Sequence, residues 1–393
     1  MWIDRQRVAL GVALLIPAAL YLWLLSVPGP LLDEVVHAGQ VDLFLDEGWV
    51  GHPRLTMVPG WHALASALAW ITGVRSLALL RGLGALAATL WVLGGWWVAR
   101  RLAPERAGVR TLQITTLPLA APLFPLFYTD VVGGALLLLA FAATLRRRFG
   151  WAAAACVGMV LVRHSLAGFV AWLALVAAFD PSSRRRDLWP FVVPLGLFGI
   201  MLASMGGASF GDHEFHPEGL TTGNLPFAAL VAVVLLLPGH LRAIPRVLRL
   251  LRDRPELAII LVTLGACVAI TAQADHPFNA RDIDYTLYNR WVEWLFDTAG
   301  GRAVLFVASV YAPLSFATWR WKLPGFPLLF GLFVLRMASS WLVEPRYCLP
   351  FVALILLARD EEPGWLEWTY VPAYAVASYL FVAGAVSGEW FPL

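Results

Sequence analysis

Two adjacent carboxylates, Asp33 and Glu34, directly follow the first apolar run of the chain. Asp33, His37 and Gln40 would share one face of a helix, because residues about one turn apart lie above one another. A carboxylate held between the membrane on one side and a substrate on the other is suited to act as a general base. A second interpretation is equally open from the sequence, in which Asp33 only caps a surface helix.

A third carboxylate, Asp130, follows Tyr128 and Thr129 between two short apolar runs. Its side chain could bind a sugar hydroxyl or the acceptor. Spacing alone favours a different role, as the N-cap of a helix that begins at Val131.

Two further stretches are rich in polar and aromatic residues. The stretch 211–218 contains Asp212 and His216, but its spacing fits no standard zinc motif, so a sugar-binding loop is at least as plausible as a metal site. The stretch 274–290 suits a carbohydrate plus a phosphate, because aromatics stack on sugars, carboxylates bind hydroxyls and arginines bind phosphate oxygens. The alternative is a loop ordered by its own salt bridges. The candidate binding residues of this stretch are His276, Asp282, Tyr285 and Tyr288.

Four arginines lie within or at the ends of apolar runs: Arg81, Arg163, Arg336 and Arg346. An arginine inside a membrane is costly and suggests a function. A phosphate carried on a lipid is the natural partner. For Arg81 and Arg163 it is equally plausible that the side chains snorkel or pair with outer-loop carboxylates.

Composition places these residues in a polytopic membrane protein. The chain has 393 residues, of which 60% are hydrophobic and 14% charged, about half the charged fraction of a soluble domain. A net charge of +3 gives no indication of nucleic-acid binding. The cysteines form no CxxC pair, so neither a zinc site nor a disulfide framework is predicted.

The hydrophobic pattern predicts about 13 transmembrane helices in a single all-α integral membrane domain, residues 1–393. The apolar runs are 8–27, 78–98, 112–126, 131–145, 150–163, 165–179, 189–205, 225–238, 256–273, 302–318, 323–342, 347–358 and 366–387.

Basic residues near span ends stay on the cytoplasmic side, and this rule constrains the topology. The basic clusters all fall on one side if residues 59–73 form a helix on the outer surface instead of crossing. Residues 28–77 then form one long external element with surface helices, and 206–224 and 274–301 form further external loops. The carboxylates and histidines gather on this outer face.

Taken in order, these motifs resemble the dolichyl-phosphate-glucose-dependent α-1,2-glucosyltransferases, a family of the GT-C membrane glycosyltransferases. The first loop of that family runs Asp-Glu-x-Phe-His-x-x-Gln, and Val36 replaces the Phe here. The resemblance spans residues 33–350. It continues through Pro53, Thr56, Pro59 and Gly60, Tyr128-Thr129-Asp130, Gly211-Asp212 with His216, His276-Pro277 with Asp282, Tyr285-Thr286 with Tyr288, and Glu344-Pro345-Arg346-Tyr347.

The resemblance implies a GT-C-type bundle and an inverting transfer of a hexose, glucose first. The donor would be a polyprenyl-phosphate sugar, and the acceptor a lipid-linked or membrane-associated glycan. Asp33 would be the base, and Glu34 would orient the acceptor or substitute for it. Arg346 would be the first candidate to hold the donor phosphate, and Arg336 and Arg163 would be the next candidates. Sugar and acceptor binding would fall to His37, Gln40, Asp130, Asp212, His216, His276, Asp282, Tyr285 and Tyr288.

No cofactor, metal or nucleic acid is expected. The arginine- and alanine-rich composition with a single lysine is typical of a high-GC bacterial genome. The expected location is therefore a bacterial inner membrane with the site on its periplasmic face, or the lumenal face of the endoplasmic reticulum in a eukaryote.

Two other functional classes stay open. A transporter or flippase would share the spans and the membrane arginines, but a transport path favours ionisable groups at mid-membrane, whereas here they lie at the outer ends. A non-catalytic glycan-binding or assembly subunit would tolerate the loss of Asp33.

Overall fold

The computed structural model of this chain describes residues 2–31, 33–207, 219–274, 289–340 and 342–387. Within these ranges the protein consists of α-helices joined by turns and short 3₁₀ helices, without a β-strand. The helices are α1 (Trp2–Leu24), α2 (Glu34–Asp46), α3 (Gly60–Thr72), α4 (Leu77–Leu102), α5 (Ala107–Thr115), α6 (Thr129–Leu145), α7 (Phe149–Val162), α8 (Ala167–Ala178), α9 (Val192–Met205), α10 (Asn224–Leu235), α11 (Leu237–Asp253), α12 (Pro255–Ile270), α13 (Asn289–Asp297), α14 (Ala299–Phe316), α15 (Leu328–Ala338), α16 (Leu349–Ala358) and α17 (Gly364–Ser387).

In the described part of the chain, 5 helical stretches are long and apolar enough to cross a membrane: Arg5–Leu24, Leu77–Leu102, Arg185–Met205, Ala299–Phe316 and Gly364–Ser387. The pair α10 and α11 would add a sixth span, but it is bent by 99°. Several other apolar helices have only 10–17 residues, shorter than the ~20 that a straight span needs. The all-α polytopic architecture is confirmed. The predicted count of thirteen spans is not confirmed.

An α-helix overlaps each predicted apolar run, but the run 112–126 is not one continuous helix. Helix α5 ends at Thr115, and the chain continues through turns and a 3₁₀ turn, Ala121–Leu123. Pro118, Pro122 and Pro125 prevent a longer helix because proline lacks a backbone N–H and clashes with the preceding turn. This irregular backbone is buried inside the protein, where such structure is tolerated at membrane depth.

The long element after the first span contains α2 and α3, and α3 coincides with the predicted surface helix. Helix α3 ends at Gly73, whose φ of +69° favours glycine. The hydroxyl of Ser66 on α3 donates to the carbonyl of Val41 on α2 at 3.3 Å. The two helices therefore form one packed unit, which carries the first carboxylates.

A buried ionic cluster joins α5 to α17. Arg110 donates to Glu367 at 3.0 Å, and Arg359 donates to the same carboxylate at 2.7 Å. Gln113 also donates to Glu367, at 2.9 Å. The Arg110 side chain is fully buried, so its charge is compensated inside the protein by Glu367.

Candidate active site

Asp33 stands immediately before α2, and its side chain is only partly covered by the protein. Its side chain makes no capping hydrogen bond to the helix that it precedes. The carboxylate instead pairs with Arg346 at 2.8 Å, and 38% of the side chain stays exposed. The backbone N–H of Asp33 donates to the hydroxyl of Tyr128 at 2.8 Å, which fixes the start of the helix. The side chain is thus held in place and still accessible to a substrate.

Glu34, one residue later, points into the protein and has no exposed surface. It pairs with Arg81 of α4 at 2.9 Å and accepts the backbone N–H groups of Leu31 and Phe127 at 3.0 and 3.2 Å. Arg81 also donates to three backbone carbonyls between the first span and α2. Because all these groups are buried, the Glu34–Arg81 pair ties the segment between α1 and α2 to the bundle.

His37 and Gln40 occupy the buried side of α2, one turn and two turns after Asp33. The Nδ1 of His37 lies 2.8 Å from the Nε2 of His62 on α3. The amide of Gln40 donates to the carbonyl of Val50 at 2.8 Å and accepts from the N–H of His52 at 2.6 Å. Both polar ends of Gln40 are therefore engaged in holding the loop that follows α2.

Arg346 lies between two carboxylates. Besides Asp33 it contacts Glu344, whose Oε1 accepts from its Nη2 at 2.8 Å. Its guanidinium also lies 5.7 Å from the centre of the Tyr128 ring, a cation–π contact. Arg346 is 13% exposed, so its position is set mainly by these three neighbours.

Asp130 lies in the first turn of α6 and accepts from Arg163 at 2.9 Å. The same Nη1 of Arg163 donates to the hydroxyl of Thr129 at 2.9 Å. Helix α6 begins at Thr129 and has no side-chain cap, so Asp130 does not have the capping role that spacing favoured. The pairing interpretation of Arg163 fits this geometry.

A cavity of about 440 Å³ opens beside these groups. Arg163 and Arg336 line its polar part, and each guanidinium lies about 6 Å from the ring of Tyr347. Arg336 donates to the carbonyl of Ser165 at 2.6 Å, while its Nε is buried without a hydrogen-bond partner among the described residues. Helices α8, α9 and α15 contribute apolar side chains to the lining, including Phe169, Phe198, Leu202, Leu332 and Phe333, and further polar groups come from Thr56, His164, Ser165, Ser339 and Ser340.

The charges around Asp33 keep its carboxylate ionised at neutral pH. Burial raises its pKa, but nearby cations, Arg346 first among them, outweigh burial and hold the pKa below the ordinary value. Burial lowers the pKa of His37 to about 4, against the attraction of Asp33. Burial likewise holds the pKa of His62 well below its usual range. The site therefore combines an ionised, accessible carboxylate with a neutral histidine pair behind it.

The described residues bring together Asp33, Arg346, Glu344, Arg163 and Asp130, and Arg163 connects this group to the cavity that holds Arg336. Glu34 does not belong to this group, because its side chain is buried and pairs with Arg81. Six predicted sugar- or acceptor-binding residues lie outside the described residues: Asp212, His216, His276, Asp282, Tyr285 and Tyr288. Among the described residues, no group of three or more His, Cys, Asp or Glu side chains could hold a metal ion.

Residues 27–186 match the model of the DIE2/ALG10 family. The predicted family resemblance is confirmed over these residues. They include Asp33, Glu34, His37, Gln40, Asp130 and Arg163. Arg336 and Arg346 lie beyond the DIE2/ALG10 match, but the fold brings both to the same site.

A curated relative is the Dol-P-Glc:Glc(2)Man(9)GlcNAc(2)-PP-Dol alpha-1,2-glucosyltransferase of Debaryomyces hansenii, which is 22% identical over 231 residues. The alignment covers 49% of this chain and 50% of that relative, so the chain matches about half the length of the curated protein. No solved structure matches. Together with the DIE2/ALG10 match, this similarity supports a membrane glycosyltransferase.

Sequence reasoning missed three features of the site. It gave no partner to His62, because nothing in the sequence links a histidine on α3 to one on α2. It named Glu344 only as part of a motif, and it left the pairing of Arg81 open. The spacing of Asp33, His37 and Gln40 did indicate a shared helix face, and that signal could have led to a search for a second histidine.

Proposed function

We propose that this protein transfers a hexose, glucose first among the candidates, from a polyprenyl-phosphate donor to a hydroxyl of a membrane-associated glycan. The observation that carries the proposal is the partly exposed Asp33 carboxylate near a cavity that is lined by two arginines and by apolar side chains. A base and a lipid-phosphate pocket are what such a reaction needs.

The proposed base is Asp33. Its exposure leaves room for an acceptor hydroxyl, and its contact with Arg346 fixes its direction. In the reaction, the acceptor oxygen forms a bond to the anomeric carbon, its proton passes to Asp33, and the bond from the anomeric carbon to the phosphate oxygen breaks. The phosphate leaves with the electron pair of that bond. Attack opposite the leaving phosphate inverts the anomeric configuration.

The proposed donor site is the cavity lined by Arg163 and Arg336. Guanidinium groups bind phosphate oxygens through charge-assisted hydrogen bonds, and the unpartnered Nε of Arg336 is available for one. The apolar walls from α8, α9 and α15 suit an isoprenoid chain. Fixed positive charge at the departing oxygen would stabilise the charge that develops there.

This assignment changes the predicted order of the arginines. Arg346 was the first choice for the phosphate, but both of its contacts with carboxylates, Asp33 and Glu344, would have to be given up. We propose instead that Arg346 positions Asp33 and lowers its pKa, and that Arg336 and Arg163 hold the phosphate. Glu34 becomes a positioning residue in place of a substitute base.

The role of Arg346 predicts a shift in pH dependence. Arg346 holds the pKa of Asp33 below its usual value, and burial alone would raise it. In Arg346→Gln the Asp33 carboxylate should therefore protonate at a higher pH, and the acidic limb of the kcat/KM profile should move upward. The profile of Arg336→Gln is the control, because that side chain should affect donor binding and leave the limb in place. If the acidic limb does not move in Arg346→Gln, Arg346 does not control the pKa of Asp33.

The donor pocket predicts an effect on binding that does not need turnover. Losing a hydrogen bond to a charged phosphate costs about 1.5–3 kcal/mol, so Arg336→Gln should weaken binding of a polyprenyl phosphate roughly 10- to 100-fold. Equilibrium binding of a fluorescent polyprenyl phosphate to the purified protein measures this. Arg75→Gln is the matched control, since Arg75 sits on the outer element in an exposed pair with Asp46. If Arg336→Gln and the wild type bind the polyprenyl phosphate with equal affinity, Arg336 does not contact the phosphate.

A further inference from the structure

Helix α11 has three distinct faces, and two of them have no protein partner in the described structure. Its first face packs on the bundle through Ala243 and Val247, which contact Ala258 and Leu314. Its second face carries large apolar side chains that are 39–61% exposed: Leu241, Ile244, Leu248 and Leu251.

The third face is basic. Arg242 and Arg249 are exposed and Arg246 is half-buried, and none of the described carboxylates forms an ion pair with these three side chains. Arg246 lies within electrostatic reach of Arg242, Arg249 and Arg320. The carboxylate of Glu362 also attracts the Arg246 guanidinium electrostatically, but Glu362 forms its ion pair with Arg359, at 3.7 Å. Among the described residues, this cluster of like charges therefore has little counter-charge.

The direction of α11 is fixed by its first turn. The helix turns by 99° from α10 at a break where Pro238 stands in its first turn. The buried His240 side chain lies 2.8 Å from the hydroxyl of Ser315, and Tyr311 donates to the His240 carbonyl at 2.5 Å. A helix held at this angle runs across the direction of α10 and does not continue it.

We propose that α11 lies in the membrane–water interface and that Arg242, Arg246 and Arg249 bind the phosphate groups of anionic phospholipids. A helix with an apolar face beside a basic face is the arrangement that lies in the interface plane. The apolar face enters the acyl region, which brings the neighbouring arginines to the level of the lipid phosphates. This inference depends on the membrane architecture and is independent of the proposed sugar transfer.

The first test measures lipid preference in the purified full-length protein. Mass spectrometry from detergent micelles that contain equal phosphatidylglycerol and phosphatidylcholine should detect preferential retention of phosphatidylglycerol by the wild type. Three basic residues near an anionic surface contribute on the order of a hundred-fold in affinity, so the variant R242Q/R246Q/R249Q should lose the preference. The variant R184Q/R185Q/R186Q removes the same charge from another exposed basic cluster and should keep it. Equal retention in all three proteins, or equal loss in both variants, would overturn the proposal.

A second measurement keeps every arginine and tests the orientation directly. Spin labels at Leu241→Cys and Leu248→Cys lie seven residues apart on the exposed apolar face, which corresponds to about 10 Å along a helix. In nanodiscs an interfacial helix places both labels at the same shallow depth. Depths that differ by about 10 Å would mean that α11 crosses the bilayer, and the proposal would be wrong.

Discussion

Asp33→Asn is expected to lower the rate of hexose transfer by roughly 10²–10⁴-fold, the contribution typical of a general base. Asparagine keeps the size of the side chain but cannot accept the proton of the acceptor hydroxyl. Donor binding should change little, because the proposed phosphate pocket lies with Arg163 and Arg336. Single-turnover transfer from a pre-bound labelled donor measures the chemical step.

The matched control for this substitution is Asp46→Asn on the same outer element. Asp46 pairs with Arg75 at the surface, with 58% of its side chain exposed, and should tolerate the change. Wild-type transfer by Asp33→Asn would exclude Asp33 as the base and would leave the transfer to another proton acceptor.

Glu34→Gln is expected to act mainly on stability. Its carboxylate and Arg81 are almost completely buried, and removing one member of a buried ion pair leaves the other charge uncompensated, at a cost of about 3–5 kcal/mol. The segment between α1 and α2 should lose its contact with α4 at a lower temperature than in the wild type. Thermal unfolding of the purified protein in detergent measures this loss, and Asp33→Asn should show a much smaller one because its carboxylate is partly exposed.

The double variant Glu34→Met/Arg81→Met separates stability from chemistry. Replacing both charges by apolar side chains of similar volume leaves no uncompensated charge, so it should recover part of the stability lost in Glu34→Gln. The backbone groups that Glu34 and Arg81 bond in the wild type lose these partners, which keeps the recovery incomplete. Recovery of transfer along with stability would support a positioning role for Glu34. Stability restored without any transfer would indicate that the Glu34 carboxylate takes part in the reaction.

Much of the fold could be predicted from hydropathy because apolar runs and helices coincide along the chain. Helix α3 lies where the charge pattern of the loops predicted a helix, at residues 59–73. The lengths were harder to predict, since helices buried among other helices need not match the membrane thickness. The prolines at 118, 122 and 125 signal the end of α5, but a hydropathy window does not register them. The pairing of Arg110 could not be predicted from local sequence either, because its partner Glu367 is 257 residues away.

The site could be predicted in its residue types but only partly in its pairings. Asp33 and Arg346 were both candidates, yet no local pattern indicates that residues 313 positions apart would meet at 2.8 Å. The two adjacent carboxylates also have different environments. The Asp33 side chain is partly exposed, whereas Glu34 faces the interior. The reason is that consecutive helix residues point about 100° apart. Tertiary contacts, which the sequence does not encode locally, decide which carboxylate can be the base.

Sugar transfer from a lipid phosphate can be measured with purified components. Purified wild-type protein is incubated with synthetic polyprenyl-phosphate glucose, labelled in the sugar, and a membrane lipid extract as acceptor. We expect label in a glycolipid with the wild type and none with Asp33→Asn. Bound donor without transfer would call for other donor sugars, whereas no binding of any polyprenyl-phosphate sugar would contradict the account and favour the transporter.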